Sequence, residues 1–91
     1  MYTLRIPTPL QKFTAGQASL DCEAANLPAL FADLAHRFPE LRERICEPDG
    51  RPRRFFNVYV NDEDIRFLGG AEYQFRAGDD VLILPSIAGG M

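Results

Sequence analysis

Gly78-Asp79-Asp80-Val81-Leu82-Ile83-Leu84-Pro85 is the stretch on which the architecture turns. Four consecutive apolar residues, Val81 to Leu84, follow a Gly-Asp turn and stop at a proline. A run this short and without polar alternation reads as a strand that is covered on both faces or lies centrally in its sheet. The rest of the chain must then flank it. Beyond Pro85 come Ser86-Ile87-Ala88-Gly89-Gly90-Met91. Its two glycines carry no Cβ to obstruct a narrow channel, and Ser86 to Gly90 could reach roughly 17 Å fully extended. The expected division is a rigid unit over residues 1–85 and a flexible tail over residues 86–91.

Working back from that strand, Tyr73 and Phe75 alternate with Gln74 and Arg76. Phe56, Val58 and Val60 fall on one side of an earlier strand, with Phe55, Asn57 and Tyr59 on the other. Asn61-Asp62 turns the chain, and Ile65 heads a short returning strand, Arg66-Phe67-Leu68, that ends at Gly69-Gly70. Glu47-Pro48-Asp49-Gly50-Arg51-Pro52 has the composition of an exposed loop. Before it, Leu27, Leu30, Phe31, Leu34 and Phe38 share one face of a helix that starts at an Asn26 N-cap, takes Pro28 in its first turn and ends at Pro39. Glu40 to Cys46 adds a short helical turn. Tyr2, Leu4 and Ile6 alternate up to Pro7, and Gln17 to Cys22 alternates again, which makes a hairpin joined by a turn over residues 8–16.

Strand, strand, helix, loop, strand, short strand, strand is an α+β order. A right-handed crossover places the first and last strands side by side and parallel. The result is a ubiquitin-like β-grasp: a mixed sheet of four to five strands wrapped on one main helix.

Ninety-one residues with a net charge of −3 and 25% charged side chains describe an ordinary globular chain, without the basic excess of a duplex-binding protein. Nucleic acid is not an expected partner. No stretch approaches the roughly 20 apolar residues of a membrane span, and Met1 to Arg5 lacks the apolar run of a signal peptide, so no membrane partner and a cytoplasmic location are expected. Cys22 and Cys46 lack ligand or redox spacing and read as small buried side chains. His36 reads as a solvated helix residue, and Asp62-Glu63-Asp64 and the Arg51, Arg53, Arg54 group read as solvated charge.

Two runs, Phe56-Asn57-Val58-Tyr59-Val60-Asn61-Asp62-Glu63-Asp64-Ile65-Arg66 and Gly78 to Pro85 followed by Ala88-Gly89-Gly90, resemble the ubiquitin-like sulfur carriers. This MoaD/ThiS-like group includes the small subunit of molybdopterin synthase, the thiamin sulfur carrier and the carrier of a cysteine-synthesis route. The likeness runs from Phe55 to Gly90, while the first half agrees in element order only. It implies a carrier that is not itself an enzyme and has no bound cofactor, catalytic residue or metal. A ubiquitin-activating-type adenylyltransferase uses ATP to adenylate the carboxylate of Gly90, and a sulfur donor displaces AMP to leave a thiocarboxylate. A sulfur-accepting enzyme, either the molybdopterin synthase large subunit or a sulfhydrylase, then receives the sulfur. Pro85, Ile87, Ala88 and Gly89 are the residues expected to hold the tail in a partner's groove.

Met91 departs from the pattern, since most such carriers end at the second glycine. With Met91 attached the Gly90 carbonyl is an amide, so the resemblance implies a precursor cut between Gly90 and Met91, with a JAMM-type zinc peptidase as the agent. A sulfur amino acid joined to the carrier by an S-to-N acyl shift would look alike. The competing readings are a ubiquitin-like modifier conjugated through Gly90 and a noncovalent β-grasp binding module.

Overall fold

Residues 1–49, 53–54 and 56–85 are described by the computed structural model of the chain. The alternation at the N-terminus builds β1 (Tyr2–Arg5), which pairs antiparallel with β2 (Ser19–Cys22), Leu4 lying opposite Leu20. β1 also pairs in parallel with β5 (Asp80–Pro85), Leu4 opposite Val81. On its other side β5 pairs antiparallel with β3 (Phe56–Val60), which carries the two-residue β4 (Glu63–Asp64). The sheet order is β2-β1-β5-β3-β4. The fold is the expected ubiquitin-like β-grasp, with the apolar run in the central strand.

Only one face of that strand is covered. Val81 and Ile83 are buried, Leu82 is half-buried and Leu84 is 38% exposed. Central position, rather than cover on both faces, accounts for the run. The inward residues of all the longer strands meet α1 (Leu27–Arg37), whose Leu27, Leu30, Phe31 and Leu34 are buried as their spacing requires. Asn26 caps α1 by accepting the Ala29 N–H at 3.0 Å. Phe38 interrupts the helix before Pro39, and α2 (Pro39–Ile45) restarts it, burying Leu41 and Ile45.

Two segments differ from expectation, both for the same reason. Residues 8–16 are not a plain turn: Thr8–Thr14 is a 3₁₀ helix that places Leu10 in the core and Phe13 against it. Thr14, fully buried, donates its hydroxyl to the Gln17 carbonyl at 2.8 Å, and Ala15 and Gly16 close the helix in the left-handed region. Likewise Ile65–Leu68 is a 3₁₀ helix, not a strand, and the returning strand is Glu63–Asp64. A 3₁₀ turn eclipses residues three apart. Ile65 and Leu68 therefore both face the core, while Phe67, which a strand would have buried with Ile65, is 77% exposed. Asp64 caps this turn through the Arg66 N–H at 2.9 Å, and Gly69 at φ 112° ends it.

Asp79, 7% exposed, ties the turns together. Its carboxylate accepts from the Tyr73 hydroxyl (2.8 Å), the Arg76 N–H (2.9 Å) and the Asn61 side-chain amide (3.0 Å). Its carbonyl accepts from the Thr3 N–H at 3.1 Å, which sets the start of β5 beside β1. Burial pushes the carboxyl's pKa up, but these hydrogen bonds outweigh it and hold the group below its usual value. Asp79→Ala should cost about 1–3 kcal/mol in urea unfolding, the typical penalty for orphaning buried partners. Because the shift is downward, that stabilisation is present above the ordinary carboxylate value of about 3.9 and is lost as the pH falls below it through the folded-state value. The gap between parent and variant should narrow in acid.

Candidate functional site at the exit of the last strand

The pairing directions decide what surrounds the end of β5. β1 runs parallel to it, so the end of β1 and the start of the 3₁₀ helix at Thr8 lie at that end of the sheet. β3 runs opposite, so its first residue, Phe56, pairs with Pro85. The chain thus leaves between two fixed strands. Pro85 is exposed. Ile87, Ala88, Gly89, Gly90 and Met91, the other residues expected to form the site, lie outside the described residues.

The outer face of the sheet leads to this exit. Ser19, Arg5, Leu82, Tyr59 and Asp64 stand opposite one another in a single row across all five strands. One step towards the exit, Leu84 stands opposite Asn57. Leu82, Leu84 and Tyr59 form an apolar strip, flanked by the Arg5–Asp80 ion pair (2.7 Å) on one side and the Arg66–Asp64 pair (2.7 Å) on the other. Both pairs include well-exposed side chains, which makes them weak contributors to stability and available to a partner. The sequence reading assigned no role to this face. Its one signal was the unbroken apolar run, which puts leucines outward at alternate positions as well as inward.

Both thiols are buried, as expected of small apolar side chains. Burial pushes Cys46 up to about 11 against the opposing pull of Arg42 and Arg53. Burial also raises Cys22, although an Arg37 guanidinium nitrogen lies 3.9 Å from its sulfur. At neutral pH both are thiols rather than nucleophilic thiolates. His36 is exposed on α1. Among the described residues, no group of three or more His, Cys, Asp or Glu side chains is placed to hold a metal ion. Arg53 is less free than expected, bound by Glu47 at 3.1 Å and the Glu43 carbonyl at 3.0 Å, while Arg51 lies outside the described residues. What stands out among the described residues is therefore the partly apolar outer face that leads to the end of β5.

The ThiS family model matches residues 4–90, from the first strand through the second glycine. The chain belongs to the ThiS family. This family member is 43% identical over 90 residues to "Sulfur carrier protein CysO" of Mycobacterium tuberculosis, covering 97% of each chain. It is similar to the structure described as the Amycolatopsis orientalis BexX/CysO complex, with a TM-score of 0.85, 39% identity and coverage of 99% and 100% of the two chains. The small archaeal modifier protein 1 of Methanosarcina acetivorans shares the fold, with a TM-score of 0.83 at 23% identity over 98% and 95% of the two chains. The radius of gyration, 12.1 Å, is the roughly 12 Å of a compact chain of this length. Among the described residues no helix is long and apolar enough to cross a membrane.

The two-sided character of β5 is directly testable. Ile83→Ala should lower unfolding free energy by about 2–5 kcal/mol, whereas Leu84→Glu should change it by no more than about 0.5 kcal/mol. Urea denaturation of the two variants measures both.

Proposed function

We propose that this ThiS family member is a sulfur carrier in which residues 1–85 are the handle that partners hold and residues 86–91 the tail that bears the cargo. The observation that carries the reading is the span of the family match, which runs through Gly90 and leaves Met91 beyond it. Likeness to sulfur carriers named CysO favours a sulfur-amino-acid route, served by a sulfhydrylase, over molybdopterin synthesis.

The chemistry follows in balanced steps. A zinc peptidase of JAMM type hydrolyses the Gly90–Met91 amide with water, freeing methionine and the Gly90 carboxylate. A carboxylate is a poor electrophile until one oxygen becomes part of a good leaving group. A ubiquitin-activating-type adenylyltransferase provides this: the carboxylate oxygen attacks the α-phosphate of ATP, pyrophosphate leaves, and an acyl-adenylate forms. Hydrosulfide from a donor, sulfur already at the sulfide level, then attacks the carbonyl carbon and AMP departs, leaving after loss of the S–H proton a thiocarboxylate. Glycine suits the position because no side chain hinders attack at that carbon. Ile87 and Pro85 hold the extended tail in the partner's groove, where main-chain hydrogen bonds supply much of the affinity, while Ala88 and Gly89 keep it thin. The apolar strip of Leu82, Leu84 and Tyr59 beside the exit is the surface on which such a partner would seat.

Intact-mass analysis of protein from its native cell tests the reading. Expected are a species lacking Met91 and a second with one oxygen replaced by sulfur. A population that always retains Met91 would overturn it. Gly90→Val in a chain ending at residue 90 should slow adenylation at least about a hundredfold, the scale of loss when a reacting group is misplaced, without altering the fold.

A further inference from the structure

β2 is the longer free edge of the sheet: it has four residues, where β4 at the opposite edge has two. The direction of its main-chain groups follows from its neighbours. The Ile6 N–H donates to the Ala18 carbonyl at 2.8 Å, so Leu20, two residues on, also turns its N–H and C=O towards β1. Thr3, opposite Asp21, instead donates its N–H to the Asp79 carbonyl at the start of β5. Ser19 and Asp21 therefore turn their N–H and C=O groups away from β1, along the free edge. Arg37 covers one of them. Its Nη1 donates to the Asp21 carbonyl at 3.2 Å while also holding Asp33 Oδ2 at 3.0 Å.

Between this edge and α1 runs a groove of about 310 Å³, to which β2 and its continuation give Asp21, Glu23 and Ala24 while α1 gives Asp33 and Arg37. Asp33 is committed to Arg37, its ion-pair partner four residues on along α1. Asp21 and Glu23 are exposed, and among the described residues neither carboxylate makes an ion pair or a hydrogen bond. Met1 completes the lining and makes no ion pair with either. Two carboxylates without counter-charge thus stand beside a row of outward N–H and C=O groups. That is the combination a strand of opposite charge would complete.

We propose that the β2 edge takes an extended, basic segment of a partner protein as an added strand. The main chain of that segment pairs with the outward groups of Ser19 and Asp21, one of its N–H groups replacing Arg37 on the Asp21 carbonyl, and its lysine or arginine side chains meet Asp21 and Glu23. Charge selects this occupant. A second copy of the chain would bring its own Asp21 and Glu23 against these carboxylates, and an acidic segment would meet the same repulsion. β1 separates the edge from β5 and its exit. The inference therefore goes beyond the carrier reading and does not depend on chemistry at Gly90.

The test is an NMR titration of the isotope-labelled full chain with a capped peptide, Lys-Val-Lys-Val-Lys, with the same peptide carrying glutamate at each lysine, and with a fully N-methylated form that keeps the charges but lacks N–H donors. Expected are saturable shifts and slowed hydrogen exchange at the Ser19 and Asp21 amides with the unmethylated lysine peptide alone, weakening as salt is raised. The Arg37 side-chain N–H resonances should shift with them. Asp21→Asn combined with Glu23→Gln, both exposed positions, should weaken binding about fivefold while leaving the amide spectrum of the core strands unchanged. Any of four results would overturn the proposal: no saturable shift, shifts confined to the Leu82 and Tyr59 face, equal binding of the glutamate or the N-methylated peptide, or a concentration-dependent dimer that pairs β2 with a second copy of the chain.

Discussion

The parallel pairing of β1 with β5 is the constraint on which the rest of the structure depends. Two neighbouring parallel strands cannot be joined by a tight turn, so the connection between them must cross one face of the sheet. α1 and α2 make that crossing from β2 at one edge, and β3 and β4 pair on the far side of β5. The same pairing leaves the end of β5 between the end of β1 and the start of β3. The chain up to Pro85 therefore ends on a strand paired along both of its sides.

A sheet covered on one side leaves its other side open to solvent. Here the inward residues, from Leu4 to Ile83, are packed on α1, while Leu82, Leu84 and Tyr59 remain on the outside with ion pairs around them. Asp79 supports this arrangement from the opposite end. Its buried carboxylate joins the Tyr73 and Arg76 segment to the Asn61 turn, and its backbone carbonyl takes in the start of β1. The Asp79 network thus lies at the start of β5, the end of the strand away from the exit.

Much of this was legible before any coordinates. Alternation at Tyr2, Leu4 and Ile6, the spacing of Leu27 to Leu34, the Asn26 cap and the apolar run at Val81 each carry one local signal, and each element formed as read. The misreadings came where two periodicities compete over a few residues. Ile65 to Leu68 holds too few side chains to tell a strand from a 3₁₀ turn, and the decision rested on Gly69 in the left-handed region and on the Asp64 cap. Leu10 and Phe13, three apart among turn-forming residues, were similarly masked. The glycine pair was readable in sequence because the run from Gly78 to Pro85 and Ala88 precede it in one continuous series.

What the sequence by itself determined is the longer strands, the main helix and their inward faces, since these depend on propensities and spacings within a few residues. Tertiary structure alone decided that only one face of the central strand was covered and that Ile65 to Leu68 turned rather than paired. Those are facts of strand register and chain return. They arise from which surfaces can be buried together at once, a condition on the whole chain that no local window contains.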